Sequence, residues 1–302
     1  MEENVIQLSV VIADATAGRS LESALDAIDT ACEELLWELI IVGEHAPPND
    51  GSPAVRGRGA RRIARPKGTL TPVLWGAGAS AARGRVVAFT TTQMLVSGRW
   101  GRALHDAING DAVGAAGAIG LARDADGATA ALFFVRFSAF LPESVGNDVR
   151  VVRDIAGDNA AYLRSAILRH EDLLAEGFWE VEFHRRFERD GHALRLLPDA
   201  GATMRGSVDF TAAVGQRFQH AAEFGASRVR RHGESVWRVA LVAPLVPLLL
   251  IMRIGRRVLP HSSYRMPFAT SLPWLVVLSV AWAVGEAVGA VRSRRWAPEL
   301  AS

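Results

Sequence analysis

Length, composition and charge set the first limits on this chain. Its 302 residues, 49% of them hydrophobic, can form one large α/β domain with a full core. The net charge is +2, and the arginines gather near the C-terminus without interleaved aromatic residues, so no nucleic-acid partner is expected. A single cysteine, Cys32, excludes an intramolecular disulfide framework and a cysteine-based zinc cluster. The first four residues, MEEN, contain no basic group, so a cleaved signal peptide is not expected.

The N-terminal residues predict a strand, a helix and a second strand. Residues 7–12 (QLSVVI) and 38–42 (ELIIV) are β-branched runs, and residues 21–28 carry apolar side chains at helical spacing. Such a unit predicts parallel strands whose carboxyl ends face a ligand. Asp14 and Glu44 follow the two strands, so they are candidates for accepting hydrogen bonds from a nucleobase or a ribose. A helix N-cap is an equally good interpretation of Asp14.

The middle of the chain predicts further elements of a mixed sheet. After an irregular loop over residues 45–65, the predicted elements are a helix over 75–83 and strands over 85–89, 113–121 and 130–137. The strand at 85–89 runs into Thr91, Thr92 and Gln93, which gives another ligand-facing strand end. A turn at residues 124–127 suggests a hairpin between the last two strands, and this pairing would make the sheet mixed.

Two apolar segments, at about 239–254 and 267–288, dominate the C-terminal part. The second is long enough to cross a bilayer and has Trp274 and Trp282 as possible interface residues. The first is shorter and contains two prolines, so a kinked span, a re-entrant segment and a helix in the headgroup layer all fit it. Two buried core helices are the remaining interpretation of both segments.

Arginines flank both apolar segments, and each is worth about 1 kcal/mol next to an anionic cytoplasmic leaflet. The sequence therefore predicts a catalytic domain over residues 1–225 and a basic, membrane-associated helical tail over residues 226–302. The expected location is the cell membrane, with the catalytic domain on the cytoplasmic side.

Five stretches within residues 7–205 resemble the family 2 glycosyltransferases. They are SVVIADATAGRSLESAL, ELIIVGE, AARGRVVAFTTTQM, GDNAAYLRSAI and WEVEFHRRFERDGHALRLLPDA. In the last, the acidic-x-acidic start, the arginine on the next turn, the glycine and the closing Pro-Asp fall at the family's spacing. The resemblance implies an α/β GT-A fold, which is a Rossmann-like mixed sheet flanked by helices, followed here by C-terminal membrane helices.

The resemblance also implies roles for individual residues. Inverting sugar transfer needs one carboxylate to take the proton of the attacking hydroxyl, and Glu180 stands in the matching position. The residues expected around the nucleotide are Asp14, Glu44, Thr91, Thr92 and Gln93. Those expected on the acceptor or diphosphate side are Asp158, Asn159, Trp179 as a sugar-stacking ring, Glu182, Arg186 and Arg217. The alternative for Glu180 is a solvated helix face that it shares with Glu182, Glu188 and nearby arginines.

Several positions depart from the family pattern. Thr91 and Gln93 replace the acidic pair that holds a divalent cation, and neutral side chains bind Mg²⁺ or Mn²⁺ poorly. We therefore expect no metal ligands here, and Arg186, Arg217 or His220 would meet the leaving-group charge. Residues 216–220 (QRFQH) loosely resemble the Gln-x-x-Arg-Trp motif of processive members, although a surface amphipathic helix fits them equally well. Gly43 stands where the family has its first acidic residue after the second strand.

These observations predict an inverting glycosyltransferase of the hexosyltransferase class that acts in cell-envelope glycan assembly. Its donor would be a nucleotide sugar, and its acceptor a lipid-linked or membrane-proximal hydroxyl. The alternative is a catalytically silent membrane adaptor that binds nucleotide or lipid, which the loss of acidic residues favours. A nucleotidyltransferase fits less well, because residues 13–18 do not resemble a Gly- and Arg-rich phosphate loop.

Overall fold

The computed structural model describes residues 6–15, 21–44 and 60–295, which belong to two compact units. The first unit comprises residues 1–122 and 140–205, and the second comprises residues 123–139 and 206–302. The boundary predicted at residue 225 lies inside a helix, Phe210–His232. Each unit has its own architecture.

The first unit is built on a mixed sheet. The described strands are β1 (Leu8–Asp14), β2 (Trp37–Gly43), β3 (Arg61–Ala64), β4 (Val86–Thr91), β5 (Met94–Val96), β6 (Gly114–Leu121), β7 (Arg150–Val152), β8 (Ala160–Leu163) and β9 (Leu194–Met204). Their order is β3-β2-β1-β4-β8-β6-β9-β5, and β7 pairs with β9. Strands β1 to β4 run parallel, whereas β8 is antiparallel to both β4 and β6. The prediction of a mixed α/β fold with flanking helices is confirmed.

Twelve α-helices are described along the chain. They are α1 (Leu21–Cys32), α2 (Thr71–Ala81), α3 (Trp100–Gly110), α4 (Gly127–Phe137), α5 (Pro142–Val145), α6 (Arg164–Leu168), α7 (Glu171–Leu174), α8 (Glu180–Arg189), α9 (Phe210–His232), α10 (Val236–Val242), α11 (Val246–Val258) and α12 (Ser262–Arg295). Single 3₁₀ turns lie at Gly157–Asn159 and Ala243–Leu245.

The strands at the centre of the sheet are buried on both faces, which suits their β-branched and apolar residues. Every residue of β1 and β4 is buried, as expected for parallel strands covered on both faces. On one side, aromatic rings pack against β4 and β8, with the rings of Phe89 and Phe178 4.6 Å apart and those of Tyr162 and Phe178 4.8 Å apart. Phe183 and Phe187 add the inner face of α8 to this cluster. The helix that carries Glu180 is thereby packed against the core of the first unit.

Two sequence predictions in the middle of the chain are wrong. Residues 130–137 form helix α4 instead of a strand, and the supposed hairpin turn is its N-terminal cap, where Asp126 Oδ1 accepts a hydrogen bond of 2.7 Å from the backbone N–H of Thr129. A short apolar run fits a helix and a strand equally well, which explains the error. Residues 61–64 form β3 beside β2 instead of a loop, while residues 45–59 lie outside the described residues.

Three segments among the described residues are long and apolar enough to cross a membrane: Gly127–Val145, Val236–Val258 and Ser262–Ser293. The last two belong to the second unit, and the first begins in it and ends at residues 140–145 of the first unit. The apolar segments predicted at 239–254 and 267–288 lie within the last two. Only 17% of the Val236–Val258 window is buried, against 56% of the Gly127–Val145 window. Helix α12 also exposes an apolar stripe of Leu272, Val276, Val280 and Val284. Exposed apolar faces on such helices indicate membrane association and disfavour two buried core helices.

Helices α9 and α12 pack closely within this unit. A Cβ atom on Gly289 would collide with the carbonyl of Ala222, so glycine permits the approach of the two backbones. Trp282, a possible interface residue, packs under the guanidinium of Arg217, whose Cζ lies 4.0 Å from the ring centroid. Trp274 packs against Phe210, with ring centroids 4.8 Å apart, and stays 41% exposed.

Candidate functional site

The carboxyl ends of β1, β2 and β4 meet at one edge of the sheet. Asp14 lies opposite Gly43 on β2, and Ala13 lies opposite Thr91 on β4. Glu44, which follows β2 directly, is exposed at the same edge. The structure therefore brings Asp14, Glu44 and Thr91 together. Asp14 is the last residue of β1 and α1 begins at Leu21, so Asp14 is not the N-cap of that helix.

Gly43 has a packing role that accounts for its departure from the family pattern. A Cβ atom at this position would collide with the main-chain carbonyl of Asp14 on the neighbouring strand. An aspartate at position 43 would therefore force β1 and β2 apart. The close approach of the two strands therefore explains glycine at this position.

The turn after β4 consists of threonines that point into the protein. Thr91 and Thr92 are buried, and Gln93 is half-buried, with its carbonyl accepting a 2.9 Å hydrogen bond from the backbone N–H of Arg205. The preceding residue, Thr90, is completely buried, and its hydroxyl oxygen has no hydrogen-bond partner within the described part of the chain. Hydroxyls and a side-chain amide thus line the strand end where carboxylates were expected from the family pattern.

Trp75 connects this strand end to Glu180. Its indole Nε1 donates a 3.0 Å hydrogen bond to the carbonyl of Thr90, at the end of β4. A Cβ atom on Gly157 would lie 2.8 Å from the Trp75 ring and 3.1 Å from Oε2 of Glu180. Both side chains therefore border the same 3₁₀ turn, Gly157–Asn159. The base candidate lies close to the ligand-facing edge of the sheet.

The glutamates of α8 differ in their surroundings. Glu188 is exposed and pairs with Arg153 at 3.3 Å, whereas the Glu182 side chain is 15% exposed and pairs with Arg185 at 3.3 Å. Glu180 and Glu182 are both half-buried, and it is Glu180 whose carboxylate lies against the Gly157 turn. The solvated-face interpretation fits Glu188, while Glu180 has the position expected of a group that faces a site.

A buried chain of hydrogen bonds lies one helical turn after Glu180. The hydroxyl of Tyr162 lies 2.9 Å from Nε2 of His184, and Nδ1 of the same imidazole lies 3.3 Å from Oδ1 of Asp154. In a neutral imidazole, Nδ1–H donates to Asp154 and Nε2 accepts from Tyr162; this tautomer is inferred from the partners. The chain ties α8 to β8 and to the segment that leads into the Gly157 turn.

The shifted pKa values of His184 and Tyr162 keep both side chains neutral at pH 7. Burial lowers the pKa of His184 more strongly than its hydrogen bond to Asp154 raises it. Burial raises the pKa of Tyr162 well above its ordinary value, and the nearby carboxylates of Glu180, Asp154 and Asp158 raise it further. These three carboxylates therefore surround one buried phenol.

The depressed pKa of His184 predicts a pH dependence of stability. The unfolded chain, with a histidine pKa of about 6.5, binds a proton before the folded one does, so the free energy of unfolding should fall below about pH 6.5, by up to about 1.4 kcal/mol per pH unit. Above that pH both states are neutral and the contribution is constant. Thermal unfolding between pH 8 and 5.5 should show a shallower loss for His184→Gln than for the wild-type protein.

The matched control for that measurement is His192→Gln, because His192 is exposed at the end of the same region. Its pH profile should follow that of the wild-type protein. Equal profiles for the wild type and His184→Gln would contradict the assignment of a neutral, buried imidazole.

Asn159 has a structural environment. Its Oδ1 accepts a 2.6 Å hydrogen bond from the indole of Trp100, and its Nδ2 donates to the carbonyls of Ala118 and Ala200 at 3.1 and 3.0 Å. The amide thus ties the 3₁₀ turn to β6 and β9. Its neighbour Asp158 is 2% exposed. The contacts of Asn159 indicate that it positions the turn, while contact with an acceptor stays a prediction.

Of the three predicted counter-charges, Arg186 belongs to the first unit, and Arg217 and His220 belong to the second. Arg186 pairs with Asp172 at 2.9 Å and lies six residues after Glu180, about 9 Å along the helix axis. Arg217 belongs to the second unit, where burial lowers its pKa and nearby Arg136 lowers it further, to about 9. His220 lies on the same helix, its ring 5.8 Å from that of Trp282. The structure does not place Arg186 beside Glu180.

Sequence reasoning missed Trp75, Tyr162 and His184. The signal for His184 was available, because residues four apart lie on the same face of a helix and His184 follows Glu180 by four. The contacts of Trp75 with Thr90 and with the Gly157 turn join distant parts of the chain and have no local signature. Among the described residues, no group of three or more His, Cys, Asp or Glu side chains could hold a metal ion.

No family model matches the chain, and no curated protein matches it significantly. The resemblance to family 2 glycosyltransferases therefore depends on the five sequence stretches. The approach of Glu180 and Trp75 to the Gly157 turn is a structural observation that does not depend on this resemblance.

Proposed function

We propose that this protein is a membrane-attached inverting glycosyltransferase with a GT-A-type fold. It transfers a sugar, in the hexosyltransferase class, from a nucleotide-sugar donor to a hydroxyl of a lipid-linked or membrane-proximal acceptor. A role in cell-envelope glycan assembly accords with this acceptor. Glu180 is the general base.

One observation carries the proposal: Trp75 joins the end of β4 to the turn that borders Glu180. Its indole bonds to the carbonyl of Thr90, and its ring lies against Gly157, which the Glu180 carboxylate also approaches. A donor at the carboxyl edge of the parallel strands would therefore lie beside a half-buried carboxylate. A base and an activated sugar need this proximity for reaction.

The side chains at the site suit the steps of an inverting transfer. Asp14 and Glu44 can accept hydrogen bonds from the nucleobase or ribose, and the Thr91–Gln93 turn offers neutral donors and acceptors to the donor. Trp179, immediately before Glu180, is half-exposed, and its indole N–H donates to the carbonyl of Glu176 at 3.0 Å, so its ring is held in place for sugar stacking. The oxygen of the acceptor hydroxyl attacks the anomeric carbon from the face opposite the departing nucleotide, and Glu180 takes the proton of that hydroxyl.

The acceptor class and the location follow from the second unit. Its apolar, outward-facing helices support attachment to a membrane, and a membrane-attached enzyme meets acceptors in or near the bilayer. The arginines around these helices favour the cytoplasmic leaflet, where anionic lipids attract them. Arg186, on the helix of Glu180, stays the proposed counter-charge for the leaving diphosphate, and we propose no metal ligands at Thr91 and Gln93.

The first experiment is thermal unfolding of the detergent-solubilised full chain with UDP, GDP, dTDP or CMP, each with Mn²⁺ and with a chelator. A nucleotide at about 100 times its Kd should stabilise the protein by roughly 2.7 kcal/mol. We expect one nucleotide to raise the melting temperature and to do so in the presence of the chelator. This result would also name the donor class.

The alternative is a catalytically silent adaptor that binds nucleotide or lipid, which the neutral Thr91 and Gln93 favour. The same experiment addresses nucleotide binding in either case. A stabilisation by none of the four nucleotides would contradict the proposed transferase. A nucleotide shift without any sugar transfer would support the adaptor.

A further inference from the structure

An open apolar groove lies between helices α11 and α12, close to the turn that joins them. Its volume is about 600 Å³. The apolar lining includes Ile251, Met252, Leu259, Phe268 and Leu272. This volume lies within the range of about 300–1,000 Å³ that is typical of sites for single small molecules. The groove is large enough for part of an amphiphile.

The groove walls are exposed to the surroundings of the protein. Met252 is 47% exposed and Leu259 is 50% exposed. Such apolar surface is unfavourable in water but favourable against hydrocarbon. Both helices belong to segments apolar enough to cross a membrane. A hydrocarbon chain is therefore the natural occupant of the groove.

The same groove is lined by a cation. Arg256 contributes to the wall, and it has no hydrogen-bond or ion-pair partner within the described residues. Arg253 and Arg257 lie on the same helix, and neither has an acidic partner among the residues that the structure describes. Positive charge at an apolar groove complements a ligand with a hydrocarbon chain and an anionic head.

We propose that this groove binds one anionic phospholipid, with an acyl chain against Phe268 and Leu272 and the phosphate on Arg256. Free phosphate would leave the apolar walls unused, and a zwitterionic lipid would neutralise the arginines less well. The site requires both an acyl chain and an anionic headgroup in one ligand. This requirement distinguishes it from the general attraction of the arginines to a charged surface.

The test uses the full chain in a mild detergent and counts bound lipid by native mass spectrometry. The probes are dioleoylphosphatidylglycerol and dioleoylphosphatidylcholine, which share their acyl chains and differ in net charge. We expect one phosphatidylglycerol to be retained in preference to phosphatidylcholine. Equal retention of the two lipids would overturn the role of Arg256.

Two variants and one matched control locate the lipid. Arg256→Gln should weaken phosphatidylglycerol binding about fivefold, which corresponds to about 1 kcal/mol for one arginine at an anionic headgroup. Gly255→Leu should abolish retention, because a Cβ at residue 255 already contacts the Phe268 ring at 3.5 Å and a longer side chain fills the groove. Arg253→Gln, which changes an arginine of the same helix outside the groove lining, should retain the lipid.

The outcomes that would overturn the proposal are distinct. An equal loss in Arg253→Gln and Arg256→Gln would indicate unspecific attraction to the basic helix, and unchanged retention in both groove variants would exclude the groove. Competition by glycerol phosphate alone would show that the headgroup binds without the chain. A melting temperature in lipid-free detergent far below that of the wild type would identify a misfolded Gly255→Leu variant. In that case lipid retention by Arg256→Gln decides whether the groove binds the lipid. Lipid retention is measured without nucleotide sugar, so it is independent of the transferase proposal.

Discussion

Replacing Glu180 with glutamine should lower sugar transfer by about 10²- to 10⁴-fold, the usual contribution of a general base. The amide keeps the shape of the side chain against the Gly157 turn but cannot take the proton of the acceptor hydroxyl. The assay would follow labelled sugar from the donor identified by nucleotide stabilisation into the lipid extract of membranes that contain the full chain. The substitution should lower kcat measured at saturating donor and leave the KM for the donor nearly unchanged, because Glu180 is not assigned to nucleotide binding.

Glu182→Gln is the matched control for this substitution. It lies on the same helix, has the same chemistry, is half-buried like Glu180 and pairs with Arg185. We expect nearly wild-type transfer from it, and we expect nucleotide stabilisation to survive in both variants. Wild-type activity in Glu180→Gln would show that another group takes the proton. Equal, small losses in the two variants would support a solvated helix face.

Local sequence patterns predicted the parallel part of the fold. Residues 10–13 of β1, 39–42 of β2 and 86–89 of β4 are apolar and buried, as expected for parallel strands covered on both faces, and the carboxyl ends of these strands place Asp14, Glu44 and Thr91 at one edge. The pattern failed at α4, where an apolar run fits two structures and the Asp126 cap decides between them. Short-range information therefore gave the ends of β1, β2 and β4 correctly, assigned α4 wrongly and missed β3.

The environment of Glu180 required information that no local pattern contains. Trp75 joins residues from β4 and from the Gly157 turn, and His184 joins Tyr162 across 22 residues of the chain. Such contacts depend on the packing of α8 against the aromatic cluster. The sequence pattern identified Glu180 as a candidate, whereas the packed core determines why Glu180, and not Glu182, borders the turn.

In the second unit, the largest effect on stability is expected from the pair of Arg228 and Glu286. Arg228 on α9 bonds to Glu286 on α12 and to Glu234, and the Glu286 side chain is only 6% exposed. Removing one partner of a buried pair typically costs roughly 3–5 kcal/mol, because the remaining charge is buried without compensation. We therefore expect Arg228→Met to lower the free energy of unfolding by about this amount, measured by chemical denaturation in detergent. Arg230→Met is the control, since Arg230 meets Glu223 at 4.0 Å on the surface and such pairs contribute about 0–1 kcal/mol.

The double variant Arg228→Met with Glu286→Leu separates the cost of a lone charge from the value of the pair. If burial of an uncompensated carboxylate causes the loss, the double variant should recover most of the stability, because two apolar side chains replace the ion pair at the α9–α12 contact. Losses that simply add would mean that Glu286 has other partners of equal weight. A mild effect of Arg228→Met alone would show that the Glu286 carboxylate reaches solvent when Arg228 is absent. Since α9 and α12 approach closely at Gly289, the pair fixes the register of a contact whose small residues supply little specificity of their own.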